Sequence, residues 1–131
     1  MLSERELTEI ERFIRAHARE PNAGLIIPPS ALASTYRDKI IAIATATRLP
    51  SISSYSEFAV AGGLISYGFD RTISYELAAS YVDRILKGEK PSDLPVQAPT
   101  KFELVVNMKT AKALGLSISE VFLTVANEVI E

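Results

Sequence analysis

Cysteine is absent from this 131-residue chain, which excludes a disulfide framework, a thiolate metal site and a cysteine nucleophile. Neither charge is in excess: 14 Lys and Arg stand against 16 Asp and Glu, for a net charge of −2. No run gathers the concentrated Lys and Arg that phosphate contact needs, so nucleic acid is not an expected partner. No apolar window reaches the length of a membrane span. The opening stretch MLSERELTEIERFIRAHARE is charged throughout, whereas a secretory signal has a basic start followed by an apolar core. As written, the chain is expected to stay where it is made. The pair Gly62-Gly63 fits neither the phosphate-loop pattern nor the dinucleotide fingerprint, and no serine stands in a GxSxG elbow. The lone histidine, His17, lacks partners at metal-binding or catalytic spacing and reads as a packed or surface residue. Glu4 with Glu6 and Glu9 with Glu11 read as a solvated helix face. The acid cluster and later Lys of a receiver-like domain are missing. Neither a cofactor nor enzyme activity is expected.

What is present is 47% hydrophobic and 23% charged, the proportions of a soluble globular protein, and the length suits one domain over 1–131. Ser3 and Glu6 form a capping-box pattern before a helix over about Glu4 to Arg19, with Leu7, Ile10, Ile14 and His17 at helical spacing and Pro21 as its stop. AGLIIPP reads as a short buried strand. A second helix is expected to start near Ser34 or Thr35, to carry Tyr36, Ile40, Ile43, Ala44 and Thr47 on one face, and to end before Pro50. SISSY is a second strand. Ser54 or Ser56 caps one turn from Glu57 to Ala61, with Gly62 and Gly63 as its exit. LISYG is a third strand, and Asp70 or Thr72 caps a long helix carrying Leu77, Tyr81, Ile85 and Leu86. After a loop with three prolines, KFELVVN is a fourth strand and MKTAKALG a short helix closed by Gly115. Ser117 and Glu120 form another capping box before a last helix with Phe122, Val125 and Val129.

Short apolar strands alternating with amphipathic helices imply an α/β fold: a mainly parallel sheet of about four strands with helices on both faces. Such a sheet, opened by a helix rather than a strand, leaves an unpaired edge, and uncovered edges are rare. A homo-oligomer, most simply a two-fold dimer, is therefore expected.

Ligands of open α/β sheets bind outside the carboxyl ends of the strands. That rule selects Pro28, Pro29 and Ser30 after the first strand, Ser53, Ser54 and Tyr55 after the second, and Tyr67, Gly68, Phe69 and Asp70 after the third. Hydroxyls, aromatic faces and one acid suit a small amphipathic ligand such as an amino acid. Each also has a structural reading: Pro-Pro ends a strand, a serine caps a turn, and Asp70 or Thr72 caps a helix.

The phrases EFAVAGG, SYG, YVDRILKGEKPSDLPVQAPTKFELVVN, KTAKALGL and ANEVIE, in this order and spacing, resemble the C-terminal portion of an ABC transporter substrate-binding protein. The relevant family is the extracytoplasmic one with the periplasmic-binding-protein type I fold, which includes binders of aromatic amino acids. The resemblance implies one truncated lobe of a two-lobed protein. It also implies a small-molecule ligand held between lobes, with aromatic amino acids among the candidates. If the protein is full-length, it further implies an ABC permease as partner and a periplasmic or extracytoplasmic location. In the family the segment matching LISYGFD crosses between lobes, so Tyr67, Gly68 and Asp70 would form hinge and cleft wall, and Ser30 and Ser53 to Tyr55 would line the cleft. Val60 stands where the family usually has an acid, and Phe69 where it often has Pro. A second reading, from another class of function, is a self-associating remnant or interaction domain with no small-molecule ligand.

Overall fold

A computed structural model of the chain describes residues 4–131, with side chains from Leu7 onward; the expected Ser3/Glu6 capping box lies outside them. The order is α1 (Glu4–His17), β1 (Leu25–Ile27), α2 (Ala31–Thr35), α3 (Arg37–Ala46), β2 (Ser51–Ser53), α4 (Ser56–Val60), β3 (Ile65–Phe69), α5 (Arg71–Leu86), a 3-10 turn (Pro91–Asp93), β4 (Phe102–Asn107), α6 (Met108–Leu114), α7 (Glu120–Thr124) and β5 (Glu128–Ile130). The expected α/β class with a mainly parallel sheet is what forms, and the sheet has five strands in the order β1-β2-β3-β4-β5.

The fifth strand replaces the end of the expected last helix. That helix stops at Thr124, and Val129 instead pairs with Val106 in a parallel β4–β5 ladder. Asn127 makes the switch: its backbone N–H donates to Leu104 O and its side-chain oxygen accepts from Leu104 N, each at 2.8 Å. The cap of α7 is Ser119, whose Oγ accepts from Phe122 N at 3.2 Å, rather than Ser117. The expected helix near Ser34 is in fact two, because Ser30 caps α2 and the chain breaks at Tyr36 before α3.

β1, β2 and β3 run parallel in strict register, so Ile26, Ile52 and Ile65 form one cross-strand row and Ile27, Ser53 and Ser66 the next. β4 runs the other way beside β3: Asn107 N donates to Leu64 O at the start of β3, while Asp70 N, just past its end, donates to Lys101 O. Burial alternates along β1 and β2, as a pleated strand requires: Leu25 and Ile27 face inward and Ile26 outward. The inward face packs Ile27 against Ile14 of α1, Ala33 of α2, Ile40 and Ile43 of α3 and Phe58 of α4. Fully burying one such side chain contributes about 1.5–3 kcal/mol.

The core also contains one polar clamp. Asn107 is buried, its Nδ2 donates to Ala59 O at 2.9 Å, and its Oδ1 accepts from Thr110 N at 3.0 Å as the cap of α6. The Thr110 hydroxyl then donates to Gly62 O at 2.8 Å. Two long-range bonds therefore tie α6 to the exit of α4.

The chain divides into two compact units, one running to Gly68 and resuming at Glu103, the other being Phe69–Phe102. The first holds most of the sheet and the core above. In the second, α5 lies along the Pro-rich loop around a groove of about 450 Å³, and Tyr81 O–H donates to Pro95 O. Glu89, just past Gly88, makes a bidentate pair with Arg84 across the end of α5, with Nε donating to Oε2 at 2.6 Å. Glu89 is held below its ordinary pKa by the Arg84 hydrogen bonds, and Arg84 is raised by the same bonds. No residue of α5 is buried.

Candidate functional site

The first unit brings the carboxyl ends of β1, β2 and β3 side by side, because these strands are adjacent and parallel. Of the three groups selected from the sequence, the first two and the Tyr67–Gly68 half of the third fall in this unit. Ser30, three residues past β1, is exposed. Its Oγ accepts from Ala33 N at 3.0 Å as the cap of α2, a bond that leaves the hydroxyl proton uncommitted. Ser53 is buried, and its hydroxyl donates to Tyr55 O at 3.0 Å, bracing the turn out of β2. Ser54 is half-buried, and its carbonyl lies tight against Gly68: a Cβ built on Gly68 would sit 1.9 Å from Ser54 O. Gly68 is thus the only residue type that lets β3 pass the β2 turn without displacement.

Tyr55, not Ser54 or Ser56, holds the cap position of α4, and its side chain makes no capping bond; it is half-buried against the core. Tyr67 shares the Ile65 face of β3 by strand alternation and is 54% exposed, presenting an aromatic surface.

Phe69 and Asp70 fall in the second unit. Phe69 is exposed. Asp70 caps α5, accepting from Thr72 N at 2.9 Å, and pairs with Lys101 Nζ at 3.1 Å. The Lys101 hydrogen bond, helped by the Thr72 amide and opposed by partial burial, holds the Asp70 carboxyl below its ordinary value. Asp70, rather than Thr72, is therefore the cap, and its charge is committed to that role.

Two residues passed over in the sequence bear on these groups, one in each unit. Lys101 partners Asp70, a pairing across thirty-one positions that no local pattern signals. Ser66 registers with Ser53, is only 1% exposed, and its Oγ finds no hydrogen-bond partner among the described residues. Strand alternation next to the exposed Tyr67 would have placed it inward.

Chemically the edge offers hydroxyls and aromatic faces without a nucleophile–base pair. Among the described residues, no group of three or more His, Cys, Asp or Glu could hold a metal ion, and no helix is long and apolar enough to cross a membrane. His17 is exposed on α1, stacked on Phe13 with ring centroids 4.0 Å apart, its Nδ1 bonded to the Phe13 carbonyl at 2.9 Å.

Comparison with known proteins agrees with this architecture. The profile of the family described as ABC transporter substrate binding protein matches residues 2–130. A conserved domain protein from Vibrio cholerae has a TM-score of 0.83 at 24% identity over 93% of this chain. An ABC domain in complex with L-Trp from Streptococcus pneumonia has a TM-score of 0.83 at 25% identity over 94% of it. The ligand-free, open structure of a substrate-binding protein with adhesive properties from Clostridium difficile has a TM-score of 0.64 at 24% identity over 95% of it. In each case this chain spans 41% of the other chain. No curated protein matches it. With a family match over nearly its whole length and a fold shared with these structures, the chain belongs to the ABC transporter substrate-binding protein family.

Proposed function

We propose that this chain is the solute-binding component of an ABC-type importer, or a piece of one. On this reading it supplies one wall of a cleft between lobes, binds a small amphipathic molecule such as an aromatic amino acid, hands it to a permease, and catalyses nothing. The observation that carries the reading is the grouping of Ser30, Ser54, Tyr55, Tyr67 and Gly68 at the carboxyl ends of three adjacent parallel strands. Family membership gives that grouping a role, and the L-Trp held by a structural neighbour indicates the ligand class. The parts differ in what they contribute. Ser30 is exposed and retains an O–H for a carboxylate, and Tyr67 offers an aromatic face. Ser53 is buried and already bonded, so it positions the turn rather than touching the ligand. Phe69 and Asp70 belong to the strand-to-helix crossing and act as hinge elements.

The test is a thermal-shift series with L-Trp, L-Phe, L-Tyr, aliphatic amino acids and small carboxylates, followed by calorimetric titration of any hit. A ligand at a hundred times its dissociation constant stabilises by about 2.7 kcal/mol, a shift of several degrees for a domain of this size. The expected result is a shift with the aromatic amino acids that Ser30→Ala and Tyr67→Ala each reduce. Tyr67→Ala leaves the unliganded melting temperature nearly unchanged, whereas Ser30→Ala also removes the cap of α2 and lowers it by the few degrees that about 0.5–2 kcal/mol corresponds to. No shift across the whole panel would overturn the reading.

A second reading, a self-associating domain with no small ligand, is favoured by one observation. Ser53 and Asp70 spend their polar groups on the protein's own turn and helix cap. It predicts the flat panel.

A further inference from the structure

Ser66 is the second residue of β3, it is 1% exposed, and its Oγ has no hydrogen-bond partner among the described residues. A buried hydroxyl is nearly always bonded, because losing water without a replacement costs about as much as a broken hydrogen bond. Alanine would occupy this position without that cost. Neither a helix cap nor a turn accounts for a serine inside a strand, so the group calls for a second state of the protein in which it is used.

Its partner in that state is Ser53. The two residues register in the parallel β2–β3 pair, so both side chains lie on the same inward face, and Ser53 is likewise buried. Neighbouring strands stand about 4.8 Å apart, which leaves two facing serine hydroxyls within a rotation and a slight approach of each other. Ser53 gives its proton to Tyr55 O at 3.0 Å, so its oxygen keeps lone pairs able to accept. A Ser66 O–H directed at Ser53 Oγ therefore completes a relay from Ser66 through Ser53 to the Tyr55 carbonyl, each hydroxyl donating once.

The relay joins the two strand ends of the candidate site. Tyr55 closes the turn out of β2, and Tyr67, next to Ser66, is exposed on the opposite face of β3. Gly68 lies against the Ser54 carbonyl, a contact that fixes where the turn and β3 meet. A molecule seated at this edge against both the Tyr55 turn and Tyr67 draws the two together about that contact, and it favours the state that it contacts better. On the basis of the solute-binding reading, we propose that Ser66 is a positioning residue of the site. Its hydroxyl stands unbonded in the unliganded protein and donates to Ser53 Oγ when solute binds, so part of the affinity comes from completing this relay.

The test compares Ser66→Ala with the parent, first without ligand and then by calorimetric titration with L-Trp, L-Phe and L-Tyr. Without ligand, Ser66→Ala should melt at or slightly above the parent, since the hydroxyl it removes makes no bond. With ligand, it should bind about three- to tenfold more weakly, the range that one hydrogen bond supplies. That loss should fall below about twofold when Ser53 is already alanine, because Ser66 acts through Ser53. An unliganded Ser66→Ala that melts several degrees lower would overturn the proposal, since the hydroxyl would then be bonded already. So would an affinity equal to the parent's, or the same loss of affinity in both Ser53 backgrounds. A parent that binds none of these amino acids instead removes the solute-binding reading itself, and the relay with it.

Discussion

Replacing Gly68 by Ala adds one methyl group where β3 passes the β2 turn. That Cβ would lie 1.9 Å from Ser54 O and 2.9 Å from Ser54 C. Ordinary contact begins near 3.4 Å, so the β2 turn or β3 must move by about 1.5 Å. Both atoms belong to the backbone, and no rotamer change can relieve the clash. Neighbouring strands are held about 4.8 Å apart, so a movement of that size disturbs the β2–β3 ladder itself. Overpacking costs about 1–3 kcal/mol, and one or two weakened backbone hydrogen bonds add about 1 kcal/mol each. The total, about 2–5 kcal/mol, is a large part of the 5–15 kcal/mol typical of a domain and should lower the melting temperature by about 6 °C or more.

Gly24→Ala is the matched control. Its added Cβ would meet only Pro50 O, at an ordinary 3.7 Å. Restricting the unfolded chain should then stabilise the protein by about 0.4–1 kcal/mol. Thermal and urea unfolding of the two variants should therefore move in opposite directions from the parent. If Gly68→Ala melts alongside Gly24→Ala, β3 does not pass the β2 turn as described, and the placement of Ser54 and Tyr55 at the candidate site falls with it.

Two further perturbations probe the polar framework. Asp70 ionises below its ordinary value of 3.8 because of Lys101 and Thr72; Lys101→Met should move its carbon-13 NMR titration upward. The folded value being the lower one, the stabilisation is fully present above the unfolded value and is lost as pH falls through the folded value. The stability difference between parent and Lys101→Met should thus be flat at neutral pH and narrow only on acidification; a difference that grows in acid would contradict the pairing. Asn107→Ala removes the bond to Ala59 O and the cap of α6 together. It should lower the urea midpoint at constant slope by an amount corresponding to about 2–4 kcal/mol, and a loss under 1 kcal/mol would mean that the clamp is dispensable.

The first three strands were legible because each is a short apolar or β-branched run bounded by Pro, Gly or Ser, and local punctuation suffices to place such runs. Ser30 was read as a ligand contact but not as a cap, although a serine directly after Pro-Pro and before ALAS is a start signal for α2. β5 was misread because Phe122, Val125 and Val129 also fit a helical period. What decides the matter is Val106 and Asn107 of β4, more than twenty residues away, offering a ladder. The antiparallel sense of β4 was equally hidden. A strand, a long helix and another strand normally read as a parallel crossover, and nothing local announces that the chain turns back at Lys101. The apolar positions of α5 look like a core stripe, yet Leu77, Val82 and Ile85 are exposed, because helical period reports which face is apolar and not whether anything covers it.

The same distinction between pattern and partner governs the candidate site. Serine, tyrosine and aspartate at strand ends serve equally as caps or as ligand contacts, and the sequence cannot separate the two uses because both need the same atoms in the same place. The hydrogen bonds separate them. Asp70 accepts from both Thr72 and Lys101, and Ser53 is buried with its proton given to Tyr55 O. A solute would have to break existing bonds to use either. Ser30 accepts a bond and stays exposed with its proton uncommitted, so it can act as cap and as donor at once. On the proposed reading, Ser30 and Tyr67 would be the solute contacts at this edge, and Ser53 and Gly68 would hold its turn in place. Substituting Tyr67 should then change affinity with little change in stability, substituting Ser30 should change both because it also caps α2, and substituting Ser53 or Gly68 should change stability first.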